Sequence, residues 1–233
     1  MPLDQLRAWC ESQNLTISDE QEAQCVSFLE QLYKANEVMN LTRVPREEAE
    51  VRHLIDSLLP QKFIHEEALV LDAGTGPGFP SWPLACIRPD LQIHAIDSTE
   101  KIASFLLGVA TNNLTVKWMR VEEMRSRGRY DVAIGRAFAP LGIQLEATAP
   151  FVCMGGLVLP YRTPNDRLEA ETLPCGQLGL ELEEIHEMAL PDGSMRMFPL
   201  YRKVRETPNE FPRPWGRMKA KPLKGFRKAE SDS

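Results

Sequence analysis

Three glycines at alternate positions, Gly74, Gly76 and Gly78, follow an apolar run that ends at Asp72 and Ala73. Glycine allows the backbone to take positive φ and to approach a ligand closely. A loop of this composition could hold a phosphate, a nucleoside or no ligand. The GxGxG spacing lacks the Lys-Ser/Thr pair of a phosphate-binding loop, which excludes that site. It also differs from the GxGxxG of dinucleotide-binding proteins, which weakens the interpretation as a nicotinamide-dependent oxidoreductase.

A second acid, Asp97, ends the next apolar run, QIHAI. Ligands of open parallel sheets bind outside the carboxyl ends of the strands, where a carboxylate can accept hydrogen bonds from ribose hydroxyls. Asp72 would lie behind the glycine loop, where it either orders the loop or faces an ammonium group. An acid, GxGxG and a second acid together form the pattern of S-adenosylmethionine-dependent methyltransferases. The alternative is a strand–turn–helix junction whose glycines serve only packing.

The elements that position these residues alternate between strand and helix from residue 68 onward. This alternation predicts an α/β fold with a mostly parallel sheet and helices on both faces. Together with the glycine and acid pattern, it is typical of a Rossmann-like methyltransferase fold. The turn Pro191-Asp192-Gly193 joins the last two strands as an antiparallel hairpin, so we expect an antiparallel C-terminal edge strand. The predicted strands are 68–74, 92–97, 115–120, 131–137, 155–161, 181–190 and 195–204.

Helical patterns precede the first strand. Ser18 with Gln21 predicts a capping box at the start of one helix, and a second helical stretch covers 46–59. The sequence therefore divides into three regions. They are an N-terminal helical region (1–60), an S-adenosylmethionine-binding methyltransferase domain (61–205) and a basic C-terminal tail (206–233).

Charge is distributed unevenly along the chain, whose net charge is −6. Residues 201–233 contain ten Lys and Arg against four Asp and Glu, so an acidic body precedes a basic end. The asymmetry indicates contact with a polyanion, and a merely solvated tail explains the charge equally well. Phe211, Trp215 and Phe226 lie among these basic residues, a composition typical of RNA binding. The prolines there favour a tail that is disordered in the free protein.

Several kinds of site find no support in the sequence. No apolar run approaches the ~18 residues that cross a membrane, and the first residues do not resemble a signal peptide. We therefore expect a cytoplasmic protein without membrane contact. The five cysteines are scattered, without a CxxC pair, and the histidines share no ligand spacing, so no metal site is predicted.

Seven segments spread over nearly the whole chain match one known family. They are NEVMNLTRV (36–44), RHLIDSL (52–58), DAGTGPGFPSWPLACIRPDLQ (72–92), DSTEK (97–101), RVEEM (120–124), YDVAIGRAFAPL (130–141) and FPRPWGRMKAKPL (211–223). Many methyltransferases share GxGxG, but its combination with NLT, GRAFAPL and the FPR ending is specific. With these segments the chain resembles the small-subunit (16S) ribosomal RNA guanine-N7 methyltransferases, also known as glucose-inhibited division protein B.

The resemblance implies a seven-stranded sheet, S-adenosylmethionine as cofactor and guanine N7 in 16S ribosomal RNA of the bacterial small subunit as methyl acceptor. The cofactor-binding residues it implies, together with those proposed from the loop itself, are Asp72, Gly74, Gly76, Gly78, Phe79, Asp97, Ser98, Thr99, Val121, Glu122 and Arg136. Where the family commonly carries further basic residues after the second strand, this chain has Ile102 and Ser104. We expect the basic tail to compensate in RNA binding.

The chemistry of guanine N7 limits what the enzyme must supply. N7 carries a lone pair and no proton, so in-line methyl transfer needs correct positioning and no general base. No catalytic residue is therefore predicted. N7 lies in the deep major groove of A-form RNA, so the target base must be unstacked. Phe79 and Phe138 are candidates to stack on it, with core packing as the alternative. Asn40, Thr42 and His53 could shape the RNA side, but caps and packing explain them more simply.

Three alternative functions differ in class from RNA methylation. The first is methylation of a small molecule or a protein, which leaves the basic tail without a purpose. The second is the nicotinamide-dependent oxidoreductase, and the third is a non-catalytic RNA-binding protein with a degenerate fold. The intact glycines and Asp97 argue against the third. We expect a monomer, because a large RNA must reach its surface.

Overall fold

Seven strands form one sheet in the computed structural model, which describes residues 3–226. The order across the sheet is β3-β2-β1-β4-β5-β7-β6. The strands are β1 Leu69–Ala73, β2 Gln92–Asp97, β3 Leu114–Trp118, β4 Tyr130–Arg136, β5 Val152–Tyr161, β6 Leu180–Ala189 and β7 Met195–Lys203. The α-helices are α1 Asp4–Ser12, α2 Asp19–Met39, α3 Asp56–Leu58, α4 Ser81–Ile87, α5 Glu100–Gly108, α6 Leu141–Thr148, α7 Arg167–Thr172 and α8 Trp215–Ala220.

Strand directions follow from the lengths of the connections. β1 pairs in parallel with β2, β2 with β3, and β4 with β5, as strands joined through crossover segments must. β7 runs antiparallel to β5, with Leu157 opposite Arg202 and Val158 opposite Tyr201. β6, joined to β7 by a five-residue turn, is outermost. The predicted fold class, a mostly parallel seven-stranded sheet with an antiparallel strand at its C-terminal edge, is confirmed.

The chain forms two compact units. The first comprises Met1–Arg120 with Ala189–Ser194, and the second comprises Val121–Met188 with Met195–Ser233. The N-terminal helices thus belong to the same unit as the first three strands. The division at residues 60 and 205 that we expected from the sequence stays a prediction.

Helix α2 supports the glycine loop from behind. Its predicted capping box is confirmed, because the Ser18 hydroxyl accepts from the Gln21 amide and the Gln21 side chain accepts from the Ser18 amide. On its buried face, the Phe28 ring stacks on Trp82 with centroids 4.0 Å apart. The same ring meets the edge of Phe79 at 5.6 Å. Helix α2 therefore packs against both the glycine loop and α4, the helix that follows the loop.

The second predicted helix, over 46–59, is not a regular α-helix. It consists of a 3₁₀ turn at Arg46–Glu48, a π-helical stretch at Glu50–Ile55 and the single turn of α3. The Ser57 hydroxyl donates to the His53 carbonyl at 2.5 Å. A side chain that takes the carbonyl four residues earlier competes with the regular backbone ladder. This local competition is not visible in the hydrophobic periodicity.

The described part of the predicted tail is folded onto the second unit. The Arg127 guanidinium donates to the carbonyls of Phe211 at 2.6 Å and Thr207 at 2.7 Å, and Met218 of α8 is fully buried. Residues 206–226 therefore do not form the disordered tail that their prolines suggested. The remainder of the predicted tail, 227–233, lies outside the described residues.

Candidate functional site

The glycine loop is held by main-chain hydrogen bonds. The amides of Gly74 and Thr75 both donate to the Ile96 carbonyl of β2, at 2.8 and 3.1 Å, and the Phe79 amide closes the turn on Thr75 O at 2.9 Å. Gly76 has φ +57 with open space around it, whereas Gly78 has φ +115 and a Cβ there would lie 2.8 Å from a methyl group of Leu106. The positive φ favours glycine at both Gly76 and Gly78. At Gly78 a side chain would also clash with its neighbours.

Asp97 joins the end of β2 to the glycine loop. Its Oδ2 accepts from the Gly76 amide at 3.0 Å, and its Oδ1 accepts from the Thr99 amide at 2.8 Å. Each carboxylate oxygen can accept more than one hydrogen bond. Asp97 can therefore order the loop and still accept hydroxyl groups of a ribose. The structure thus brings together Gly76, Asp97 and Thr99, as the sequence indicated.

Asp72 orders the loop from inside the protein. The residue is 0% exposed, and its Oδ2 accepts from the Ser81 amide at 3.3 Å, at the start of α4. Next to it, the hydroxyls of Thr75 and Ser81 lie 2.5 Å apart. Of the two roles considered for Asp72, this hydrogen bond fits the ordering of the loop.

Phe79 and His53 form a packed pair beneath the loop. Their rings stack with centroids 4.1 Å apart and 4° between planes, and Phe79 is 4% exposed. The packing alternative for the Phe79 ring is therefore correct, and this ring is not a stacking surface for the target guanine. His53 Nε2 lies 2.9 Å from the Thr42 hydroxyl, while Asn40 caps α2 with φ +51. These residues have the cap and packing roles that the simpler explanation gave them.

Trp118 is an exposed ring beside Ser98 that the sequence analysis missed. It ends β3 in register with Asp97, is 60% exposed, and donates from its indole Nε1 to the Ser98 carbonyl at 3.1 Å. A fixed indole offers a flat apolar face to another ring. The available signal was a tryptophan at a strand end next to the acid, which the glycine pattern does not include.

In the second unit, β4 ends at a strained backbone position. Arg136, the last residue of β4, is half-buried, and Ala137 follows it with φ +53. Non-glycine residues at positive φ are strained and concentrate at functional sites. Phe138 comes next, with its ring centroid 5.7 Å from that of Trp215. The sequence-predicted Val121 and Glu122 begin a 3₁₀ turn of the same unit, in which Val121 is buried.

A buried ion pair attaches the C-terminal part of the second unit to α6. The Arg213 Nε donates to Glu146 Oε1 at 2.7 Å and Nη2 donates to Oε2 at 2.5 Å, while the Glu146 side chain is 0% exposed. The carboxylate raises the pKa of Arg213. This pair was not predicted from the sequence, although an acid inside the apolar run LGIQLEATAPF was a signal.

Among residues 3–226, no three or more His, Cys, Asp or Glu side chains are grouped so that they could bind a metal ion. No helix in the same part of the chain combines the length and the apolar composition that a bilayer crossing requires.

Similarity to known proteins shows which family this chain belongs to. The family model described as rRNA small subunit methyltransferase G matches residues 21–192. The chain belongs to this family. Among its relatives, the ribosomal RNA small subunit methyltransferase G of Streptococcus pneumoniae serotype 19F (strain G54) is 34% identical over 226 residues, with 91% of this chain and 95% of the relative covered. The protein of the same name from Streptococcus pyogenes serotype M1 is 33% identical over 228 residues, with 91% and 96% covered.

Family membership confirms the resemblance stated from the sequence, and with it the prediction of an enzyme that transfers methyl groups. Solved structures add support for the fold. A TehB-like SAM-dependent methyltransferase from Corynebacterium glutamicum aligns with a TM-score of 0.54 at 16% identity, over 75% of this chain and 98% of its own. A chain in the complex of the Trm112 methyltransferase activator with a methyltransferase from Haloferax volcanii aligns with a TM-score of 0.55 at 12% identity, over 70% and 94%.

Proposed function

We propose that this member of the methyltransferase G family transfers the methyl group of S-adenosylmethionine to N7 of a guanine in 16S ribosomal RNA of the bacterial small subunit. The family assignment over 91% of the chain supports the reaction. The assignment of the cofactor is supported by the hydrogen bond from the Gly76 amide to Asp97 Oδ2 at 3.0 Å, which joins the glycine loop to an acid at a strand end. The proposal includes a monomer that acts in the cytoplasm, without membrane contact, on ribosomal RNA.

The ends of β1 and β2 are the proposed site for the nucleoside part of the cofactor. Asp97 would accept hydrogen bonds from the ribose, with Ser98 and Thr99 beside it. Phe79 would contribute its main chain, because its ring is covered by His53. Further contacts implied by the family resemblance remain proposals. They are Gly74, Gly76, Gly78, Val121, Glu122 and Arg136, with Asp72 behind the loop.

S-adenosylmethionine supplies an electrophilic methyl group. Guanine N7 has a lone pair and no proton to lose, so the chain needs no general base. Its residues act by binding and orienting the two reactants in a near-attack geometry. Dipoles and charges that suit the positive charge developing on the purine would lower the barrier further.

Methyl transfer to small ribosomal subunits from cells that lack the enzyme tests this proposal. We expect a single guanine to become sensitive to N7-specific chain cleavage. The Asp97→Asn variant should reduce the rate, while Asp19→Asn, at a side chain that is 99% exposed, should not. Subunits that stay unmethylated with the wild-type enzyme would overturn the proposal.

Calorimetry separates the methyltransferase alternatives from the oxidoreductase. An RNA methyltransferase and a methyltransferase of small molecules or proteins both bind S-adenosylmethionine, and only the first modifies ribosomal RNA. The oxidoreductase alternative requires binding of a nicotinamide dinucleotide. We expect heat of binding with S-adenosylmethionine and none with NAD.

A further inference from the structure

The C-terminal basic segment, defined as residues 211–226, contains five Lys and Arg and no Asp or Glu. Its sequence alone is compatible with a solvated tail, but it contacts the second unit at both ends. At its start, Arg213 pairs with the buried Glu146. At its end, the Phe226 amide donates to the Thr172 hydroxyl at 2.6 Å. The segment therefore has a defined path over the protein.

Close backbone contacts fix that path along α6 and α7. A Cβ added to Gly142 of α6 would lie 1.9 Å from the Leu223 carbonyl oxygen, and one added to Gly225 would lie 2.4 Å from the Glu169 carbonyl oxygen. Real Cβ atoms do not approach backbone atoms so closely, since their van der Waals radii would overlap, and close packing leaves the neighbours little room to move. Two glycines thus permit the segment to pack directly on the helices.

The segment presents four positive charges that the protein does not compensate. Arg213 is neutralised by Glu146, whereas Arg217, Lys219, Lys221 and Lys224 are exposed. Within residues 3–226, none of these four takes part in an ion pair. Two partly buried arginines of the same unit do have acidic partners. They are Arg167 with Glu187 and Arg202 with Glu183.

An aromatic pair connects these charges to the carboxyl end of β4. Trp215 opens α8 and is half-buried, with its ring centroid 5.7 Å from that of Phe138. Phe138 follows Arg136 and the strained Ala137. Carboxyl ends of strands in parallel sheets are where ligands bind. Basic side chains next to aromatic rings are the combination that binds single-stranded nucleic acid, through phosphates and base stacking.

We propose that the C-terminal basic segment is a preformed RNA-binding surface of the second unit. Arg217, Lys219 and Lys221 bind phosphates of the ribosomal RNA, and the Trp215–Phe138 pair receives an unstacked base at the end of β4. The proposal rests on the proposed function for the identity of the RNA. The sequence suggested that a flexible tail contacts RNA, and this proposal assigns the same contact to ordered residues.

Removal of the charges tests the phosphate contacts. We expect the triple variant Arg217→Ser, Lys219→Ser, Lys221→Ser to bind unmethylated 16S ribosomal RNA at least about tenfold more weakly at moderate salt. The slope of log K against log salt should fall by about 2, since each phosphate contact on single-stranded RNA contributes about 0.7. S-adenosylmethionine affinity should stay at the wild-type value. Lys62→Ser, an exposed lysine that precedes β1, is the control and should alter neither quantity.

A second pair of variants tests whether the surface must be preformed, without altering any charge. Gly142→Ala should displace the segment, because the new Cβ meets the Leu223 carbonyl. We expect faster proteolysis within 211–226 and RNA binding reduced about threefold or more, with S-adenosylmethionine binding retained as the sign of a folded protein. Gly108→Ala adds the same methyl group where no atom lies within 4 Å and should behave as wild type.

The outcomes distinguish this inference from the proposed function. A triple variant with wild-type RNA affinity and salt slope would overturn the surface. A Gly142→Ala variant that is cleaved faster but binds RNA as well as wild type would show that the segment acts without being preformed. If the wild-type enzyme binds 16S RNA through the segment but methylates no guanine, the proposed function fails and the surface stands.

Discussion

The glycine loop, residues 74–79, and the C-terminal basic segment are held in place by different kinds of interaction. The loop is fixed by main-chain hydrogen bonds and by Asp97, and the longest of these links, from the Gly74 amide to the Ile96 carbonyl, joins residues 22 apart. The basic segment is fixed by Arg213 and Glu146, which are 67 residues apart, and by Gly142 of α6 and Gly225 of the segment, where a side chain has no room. The loop, which is held by main-chain hydrogen bonds, can thus be recognised from a short stretch of sequence. The basic segment, which is held by contacts between distant residues, cannot.

The two regions also differ in what they lose when one partner is removed. The hydrogen bond between Gly76 and Asp97 is only partly buried, so water can replace a missing partner in part. Glu146 is buried, so water cannot replace Arg213. A buried pair stabilises little compared with apolar residues, but breaking it is costly. The comparison therefore predicts that stability is more sensitive in the segment and that cofactor affinity is more sensitive in the loop.

The largest effect is expected from Arg213→Ala. The change leaves the Glu146 carboxylate buried without its guanidinium, so the free energy of unfolding should fall by about 3–5 kcal/mol. Urea denaturation measures the loss. The control is Arg167→Ala, whose side chain is 44% exposed and whose loss should cost less than about 1 kcal/mol. Similar losses for the two variants would show that the burial of Glu146 adds no cost to breaking its ion pair.

Asp97→Ala should have the next largest effect, on the cofactor rather than on stability. The change removes the acceptor of the Gly76 and Thr99 amides together with the proposed ribose contacts. At about 1.5–3 kcal/mol for a hydrogen bond to a charged group, affinity for S-adenosylmethionine should fall on the order of a hundredfold. The Asp97→Asn variant keeps one acceptor oxygen. Its affinity for S-adenosylmethionine, measured by calorimetry, should lie between those of the wild type and Asp97→Ala. Undiminished affinity in Asp97→Ala would remove the acid from the site.

Lys203, the last residue of β7, should make the free energy of unfolding depend on pH. The side chain is 3% exposed, and its ammonium donates to the Ala149 carbonyl at 2.6 Å. Burial lowers the pKa of Lys203 from 10.5 to about 8. Between those values the unfolded chain binds more protons than the native one, so the free energy of unfolding rises with pH, by roughly 3 kcal/mol for this group.

The measurement compares wild type with Lys203→Met by denaturation from pH 7 to 10.5. Burial also raises the pKa of Tyr33 to about 12, which lowers stability in alkali. That effect is common to both proteins and cancels in the difference. The wild type should gain relative to the variant as the pH rises above 8, and a difference that is independent of pH would show that Lys203 keeps its ordinary pKa.

The smallest effects are expected within the loop. Gly78→Ala combines a strained φ of +115 with a methyl group of Leu106 at 2.8 Å, and should cost about 2 kcal/mol. Gly76→Ala meets open space at φ +57 and should cost about 1 kcal/mol. Thermal unfolding of the two variants checks the order. Equal costs would mean that Leu106 moves aside without penalty.

Local patterns in the sequence determined much of this protein. Periodicity placed the strands, the capping box predicted the start of α2, and the glycine spacing with Asp97 predicted the junction of loop and strand. These features depend on backbone conformation and on neighbours along the chain, so a short segment contains their cause. The specific family was also readable, because its motifs are spread along the whole chain.

Only the tertiary structure decided how residues distant in sequence share their partners. It buried Asp72 behind the loop, covered the Phe79 ring with His53 and placed Trp118 beside Ser98. It also packed the basic segment on α6 through Glu146, where composition alone suggested a flexible tail. Burial and pairing are set by which surfaces meet after the chain has folded, and charge or ring type in the sequence does not specify that.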